Sequence, residues 1–259
     1  MWNLLAVLAL AVLAPPDVTV TKLDGTSVSG GLQTWSAREV VLTTADGPQS
    51  IPAADLVALE FSQQATGDSG KPQLELVDGS LLPLAAYTAT DDRAFARLLL
   101  PSPAEPQPIV VPLDQVRAVR LQALDAAVLP QWQEIRQLGV PSDVIAMSKR
   151  GGKSLDYLEC VLGKITETEV AFELDGNAVR VPRSRVVGLV YYRSDAAAAA
   201  APSCILVGPD GLRIAATMVR SQGDMLIAST TTHLKLAWPL SGITNVDLSA
   251  GKVVFLSDV

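Results

Sequence analysis

Four times the chain repeats one phrase: a proline, then large apolar residues four, seven and nine positions later. The stretches are PAADLVALEF from Pro52, PLDQVRAVRL from Pro112, PRSRVVGLVY from Pro182 and PLSGITNVDL from Pro239. Each proline follows a large apolar residue: Ile51, Val111, Val181 or Trp238. Proline has no backbone N–H, so it belongs at the end or edge of a strand rather than in the middle of a sheet. The first interval between apolar positions matches one turn of 3₁₀ or α helix, and the second matches the strand period. The phrase therefore predicts a strand end, one helical turn and the start of a new strand.

Short alternating apolar and polar runs precede each phrase, broken by Asp-Gly pairs at Asp24-Gly25, Asp46-Gly47, Asp78-Gly79, Asp175-Gly176 and Asp210-Gly211. Asp-Gly between such runs signals a tight hairpin, because the turn requires positive φ. Each copy reads as a handful of short strands with a helical turn before the last, the strand order of small SH3-like and LSm-like barrels. The predicted fold is all-β: four tandem small SH3-like/LSm-like barrel or half-barrel repeats with one short helical turn each, plus an N-terminal signal helix. The repeats are placed at 18–62, 72–122, 143–192 and 203–248. Residues 125–142 form a helical connector, with its helix around Pro130–Leu138, and 249–259 a C-terminal strand or junction. The X-Pro steps lie 60, 70 and 57 residues apart, the period of an array of small units. A unit of ~45 residues buries too little surface to stand comfortably alone, so neighbouring copies are expected to pack together and cover one another's sheet edges.

Residues 1–14 predict an export signal. LLAVLALAVLA is an apolar run of eleven, short of the roughly 20 residues a membrane-spanning helix needs. Small residues offer cleavage after Ala11 or Ala14. The expectation is an exported chain, periplasmic or extracellular, with no stable membrane span after signal removal. A net charge of −7 with scattered Lys and Arg argues against nucleic acid as a partner, since phosphate affinity rests on clustered cations. The two cysteines, Cys160 and Cys204, are too few for a disulfide framework and read as buried thiols.

No constellation carries chemistry. The single histidine, His233, sits in STTTHLKLAW, read as a strand, and with two separated cysteines it completes no zinc site of normal ligand count. No Gly-x-Ser-x-Gly nucleophile elbow is present. Asp24, Asp78, Asp175 and Asp210 precede glycines, where turn chemistry accounts for them. KRGGKS (149–154) and GDSGKP (67–72) lack the spacing of a phosphate loop. No catalytic, cofactor-binding or metal residue is assigned. Tyr191 and Trp238 fall on repeat positions held elsewhere by Phe, Leu, Ile or Val, and so read as core. Trp35 and Trp132 lie outside the pattern and are the two candidates for ligand contact.

DYLECVLGKITETEVAFELDGNAVRVPRSRVVGLVYY (156–192) and ITNVDLSAGKVVFLSDV (243–259) resemble the N-terminal, β-rich repeat region of large bacterial exported proteins that carry an NPCBM-type module. That module is assigned to carbohydrate binding and was first associated with a glycoside hydrolase family. The resemblance covers most of 18–259 and implies that GKVVFLSD lies near the junction leading into the module, which is then absent from this chain. It lends no catalytic residue to the part present. The expected function is a non-catalytic exported scaffold or protein-interaction protein, not an enzyme, without a cofactor, whose partner is an envelope protein or polysaccharide. The alternative is a carbohydrate-binding protein of the cell envelope that uses exposed aromatics.

Overall fold

A computed structural model describes residues 16–62, 67–101, 104–193, 200–250 and 252. The expected signal segment 1–14 and residues 253–259 lie outside the described residues. The described residues are all-β with one α-helix. Its strands fall into four groups. The first holds β1 (Asp17–Lys22), β2 (Ser27–Trp35), β3 (Glu39–Thr44), β4 (Gly47–Pro52) and β5 (Leu56–Phe61). The second holds β6 (Gln73–Leu76), β7 (Leu81–Ala89), β8 (Arg93–Leu98), β9 (Gln107–Pro112) and β10 (Val116–Arg120). After it comes α1 (Leu129–Arg136). The third holds β11 (Asp143–Ser148), β12 (Leu155–Ile165), β13 (Glu169–Leu174), β14 (Asn177–Pro182) and β15 (Val186–Val190). The fourth holds β16 (Cys204–Val207), β17 (Arg213–Gln222), β18 (Met225–Thr230), β19 (Lys235–Pro239) and β20 (Asn245–Asp247).

Within every group the first four strands form an antiparallel meander, and the fifth returns beside the first. The prolines govern that return. Each pairs with the first residue of the third strand, Pro52 with Glu39, Pro112 with Arg93, Pro182 with Glu169 and Pro239 with Met225. The N–H of the residue after each proline donates to the loop between second and third strands: Ala53 to Arg38 O, Leu113 to Asp92 O, Arg183 to Thr168 O and Leu240 to Asp224 O, at 2.7–2.9 Å. A 3₁₀ turn follows in each case, at 53–55, 113–115, 183–185 and 240–242. The apolar residues four and seven positions past the proline then enter the core. Leu56, Val116, Val186 and Ile243, and Leu59, Val119, Leu189 and Val246, are all fully buried.

The groups join through their fifth strands, and only one of the two junctions is between sequence neighbours. β5 pairs with β20, and β10 with β15, so the first group docks on the fourth and the second on the third. Both junctions have the same register. The residue seven past one proline faces its equivalent, Leu59 against Val246 and Val119 against Leu189. Reciprocal backbone bonds flank each pair: Phe61 N–H to Thr244 O at 2.9 Å with Leu248 N–H to Val57 O at 2.7 Å, and Leu121 N–H to Val187 O at 2.8 Å with Tyr191 N–H to Arg117 O at 2.9 Å. Each junction is thus a local pseudo-twofold, in which one patch meets a copy of itself.

The outer faces of the two junctions differ. Residues six and eight past the proline point away from the main core. At β10–β15 they include Ala118, Gly188 and Val190, and α1 lies across them with Trp132 and Ile135 buried. Gly188 is required there: a Cβ would come within 2.5 Å of the Trp132 ring. At β5–β20 the same positions hold Ala58, Glu60, Asn245 and Asp247, of which none is fully buried.

His233 does not lie in a strand. It sits in the turn between β18 and β19 with φ 63°, where a left-handed residue lets the chain reverse. The Asp-Gly steps at Asp175-Gly176 and Asp210-Gly211 have positive φ at both residues.

Candidate functional site

The two tryptophans expected as ligand contacts are core residues. Trp35 is 4% and Trp132 is 2% exposed. Trp132 fills the seat that Gly188 leaves, and Trp35 ends β2 where its N–H donates to Ser221 Oγ of β17 at 2.7 Å. A large ring outside the repeat pattern packs here against a partner group instead of facing solvent. Among the described residues the exposed aromatics are Phe95, Tyr157 and Tyr192.

The polar side chains that do converge bind protein backbone. Gln122, just past β10, donates from Nε2 to Ser184 O and Val186 O of the third group's 3₁₀ turn, both at 2.8 Å. Across the pseudo-twofold, Arg193 donates from Nη2 to Leu113 O and, at 2.6 Å, to Val116 O of the second group's turn. Lys252 does the same for the first group, with Nζ donating to Ala53 O at 2.7 Å and Leu56 O at 3.0 Å. In all three cases a long donor beyond the fifth strand clamps the partner's turn carbonyls. The Arg193 guanidinium also lies 5.2 Å from the Tyr191 ring centre, a cation–π contact. Burial pulls that guanidinium below its ordinary range, while Asp143, Tyr191 and Asp114 favour its charge.

Tyr87 and Tyr191 meet hydroxyl to hydroxyl at 3.0 Å between the second and third groups. Burial raises both phenols far above their ordinary value, so neither ionises near neutrality. Arg183 Nη1 donates to Tyr87 O at 2.7 Å and fastens the same boundary. Asp143 accepts the N–H of Leu162 at 2.9 Å and of Tyr192 at 2.7 Å. Arg120, 1% exposed, holds Asp68 in a two-pronged ion pair at 2.8 and 2.6 Å, with its Nε on Lys71 O at 2.7 Å. This pair secures the link between the first and second groups. Lys71 in turn bonds Asp210 of the fourth group at 2.7 Å.

Cys160 and Cys204 are buried free thiols, each pushed by burial up to about 12, far from a reactive thiolate. Among the described residues no three His, Cys, Asp or Glu side chains converge as a metal site requires, and no helix is long and apolar enough to cross a membrane.

One open groove gathers charge. It is about 370 Å³ in volume and lies where β10, the end of α1 and residues 190–193 meet. Its lining includes Arg117, Arg136, Arg193 and Tyr192 beside the apolar Val77 and Leu138. The mostly buried Glu75 on β6 sits between two of the guanidiniums, 3.0 Å from Arg136 Nη1 and 3.7 Å from Arg117 Nε. The sequence analysis missed this cluster. Its members come from four separate stretches, and the one signal present was that Arg117 and Arg193 follow turn or strand positions of the repeated phrase. Compared with known proteins, the sequence matches no family model, no curated protein and no solved structure.

Proposed function

We propose that the protein is a non-catalytic, exported scaffold that presents interaction surfaces, built from four tandem small β units of the SH3-like or LSm-like kind at 18–62, 72–122, 143–192 and 203–248. The observation that carries this reading is the use made of the convergent polar side chains. Gln122, Arg193 and Arg183 donate to the backbone of a neighbouring strand group, Arg120 ties the segment ahead of β6 to the second group through Asp68 and Lys71 O, and Asp143 holds backbone of its own third group. Groups held this way stiffen a framework, whereas a catalytic acid or base needs a reacting atom within reach. The segment 1–14 supports export, and the resemblance to module-bearing envelope proteins supports a place in the cell envelope.

A second reading, polysaccharide binding, is favoured by Tyr192, an exposed aromatic in the arginine-lined groove. Affinity electrophoresis of the purified chain through gels containing neutral and acidic polysaccharides separates the two. Unretarded migration supports the scaffold. Retardation that a Tyr192→Ala variant abolishes replaces it with the second reading, and release of shorter saccharides would make the protein an enzyme. Residues 1–20 fused ahead of a phosphatase active only outside the cytoplasm test export: an inactive fusion removes that part of the proposal.

A further inference from the structure

We infer that β14 is a docking edge for a second copy of this chain, the two copies pairing β14 to β14, antiparallel, about a twofold at Val179. The fourth strands of the groups, β4, β9, β14 and β19, each pair with the third strand of their own group and, among the described residues, with no other strand. Each therefore presents an open edge, which native proteins guard with proline or lysine. The guard sits at one position, four residues before the proline of the repeated phrase. It is Pro48 in β4, Pro108 in β9 and Lys235 in β19. In β14 the same position holds Ala178, and it is exposed. The tight turn at Asp175-Gly176 makes the flanking Leu174 and Asn177 a hydrogen-bonded pair. Alternation along β14 then turns the N–H and C=O of Ala178 and Arg180 away from β13. Pro48 and Pro108 fall on the same phase and remove an N–H from their own edges.

Charge complementarity selects a second copy as the occupant and fixes the register. Glu173 of β13 stands opposite Ala178, and Arg180 lies two residues along β14 on the same face. Both are exposed, and neither is in an ion pair among the described residues. With the twofold at Val179, Ala178 faces Arg180 of the second copy and the two exchange backbone bonds. Arg180 of the second copy then lies two strand widths from Glu173, about 10 Å between backbones. Gly163, Ala171 and Ala178 keep this face low, so only a methyl group stands between the two charges. Long side chains span that gap, and the twofold makes the contact twice. A register that set Arg180 against its own copy would oppose like charges. A strand from another protein would gain the backbone bonds without the reciprocal ion pairs. The other groups lack the arrangement: the equivalent residues are Thr43 and Ser50, Arg97 and Val110, and Ser229 and Ala237.

Sedimentation velocity of the full chain, from micromolar to submillimolar concentration, should show a reversible monomer–dimer equilibrium. Ala178→Pro should raise the dissociation constant at least about tenfold. That variant should fold, because Pro48 and Pro108 hold the same place in two sister groups. Glu173→Lys and Arg180→Glu, made singly, set like charges together and should each raise the constant about fivefold or more. The double variant restores opposite charges and should return it to within about twofold of the parent. A chain that stays monomeric throughout would overturn the inference. So would a dimer that Ala178→Pro leaves intact. A double variant no tighter than the single ones would also overturn it, and that comparison decides the matter if Ala178→Pro fails to fold. A monomer removes the β14 pairing alone and leaves standing the scaffold reading, which migration through polysaccharide gels tests separately.

Discussion

The β10–β15 and β5–β20 junctions share a register, a set of reciprocal backbone bonds and a buried pair of aliphatic residues at the centre, yet one is roofed by a helix and the other is not. The difference lies in side chains six and eight residues past the prolines. Ala118, Gly188 and Val190 make an apolar seat on which α1 sets Trp132, while the fourth of these positions holds Arg120, buried in its ion pair with Asp68. Ala58, Glu60, Asn245 and Asp247 make a polar surface with no use for such a cover. Backbone pairing therefore sets how the groups associate, and a few outward-facing residues decide what is then built on the association. The arginine groove exists only on the roofed side, because its wall is the end of α1.

The largest test of this comparison is Trp132→Ala. It empties the seat under α1 and should cost about 3–5 kcal/mol in denaturant unfolding. Asn245→Gly, at the position equivalent to Gly188 on the unroofed side, should cost less than about 1 kcal/mol by the same measurement. If the two losses were equal, the roof would have no distinct role. Next come the central pairs. Leu59→Ala and Leu189→Ala should each lose about 2–5 kcal/mol, and the two values should agree within the scatter of such measurements, since the junctions are quasi-equivalent. A large disparity would show that one junction does not form as described.

The clamps sharpen the contrast at smaller scale. Arg193→Ala removes two buried carbonyl contacts and the stacking on Tyr191, at about 1–3 kcal/mol. Lys252→Ala removes the corresponding clamp from an exposed position and should cost under about 1 kcal/mol. Thermal melting of the two variants side by side checks the order. Acid sensitivity should also belong to the linked groups. Burial pushes the Asp68 carboxyl up, but the hydrogen bonds from Arg120 and the Gly70 N–H, with the Arg120 charge, bring it below its ordinary 3.8. A group with a depressed folded value stabilises fully above its unfolded value and loses that contribution as pH falls through the folded one. The Asp68–Arg120 pair should therefore hold at neutral pH and fade below 3.8, and Asp68→Asn should remove that acid step while costing about 1–3 kcal/mol at neutrality. Denaturant midpoints measured across the acid range follow both effects.

Much of the strand plan was legible because it rests on local chemistry. A missing N–H at Pro52, Pro112, Pro182 and Pro239, Asp-Gly turns with positive φ, and Pro130 early in the one helix all act within a few residues. The joining of second to third groups fits the expectation that neighbouring copies pack together, but the joining of first to fourth was not legible. The pairing of Leu59 with Val246 spans most of the chain, and nothing within either phrase distinguishes it from pairing between sequence neighbours. Trp35 and Trp132 were misplaced for the same reason: their burial depends on Ser221 and Gly188, which are remote in sequence. Gln122, Arg193 and Lys252 were invisible as clamps because their acceptors are backbone carbonyls, which leave no mark on residue type.

Amide hydrogen exchange at Phe61, Leu248, Leu121 and Tyr191 tests the central claim most directly, since each N–H crosses a fifth-strand junction. All four should exchange far more slowly than turn amides, with Leu121 and Tyr191 the slowest beneath the helical roof. Exchange of either pair at the rate of an open turn would contradict the nested pairing of the four strand groups.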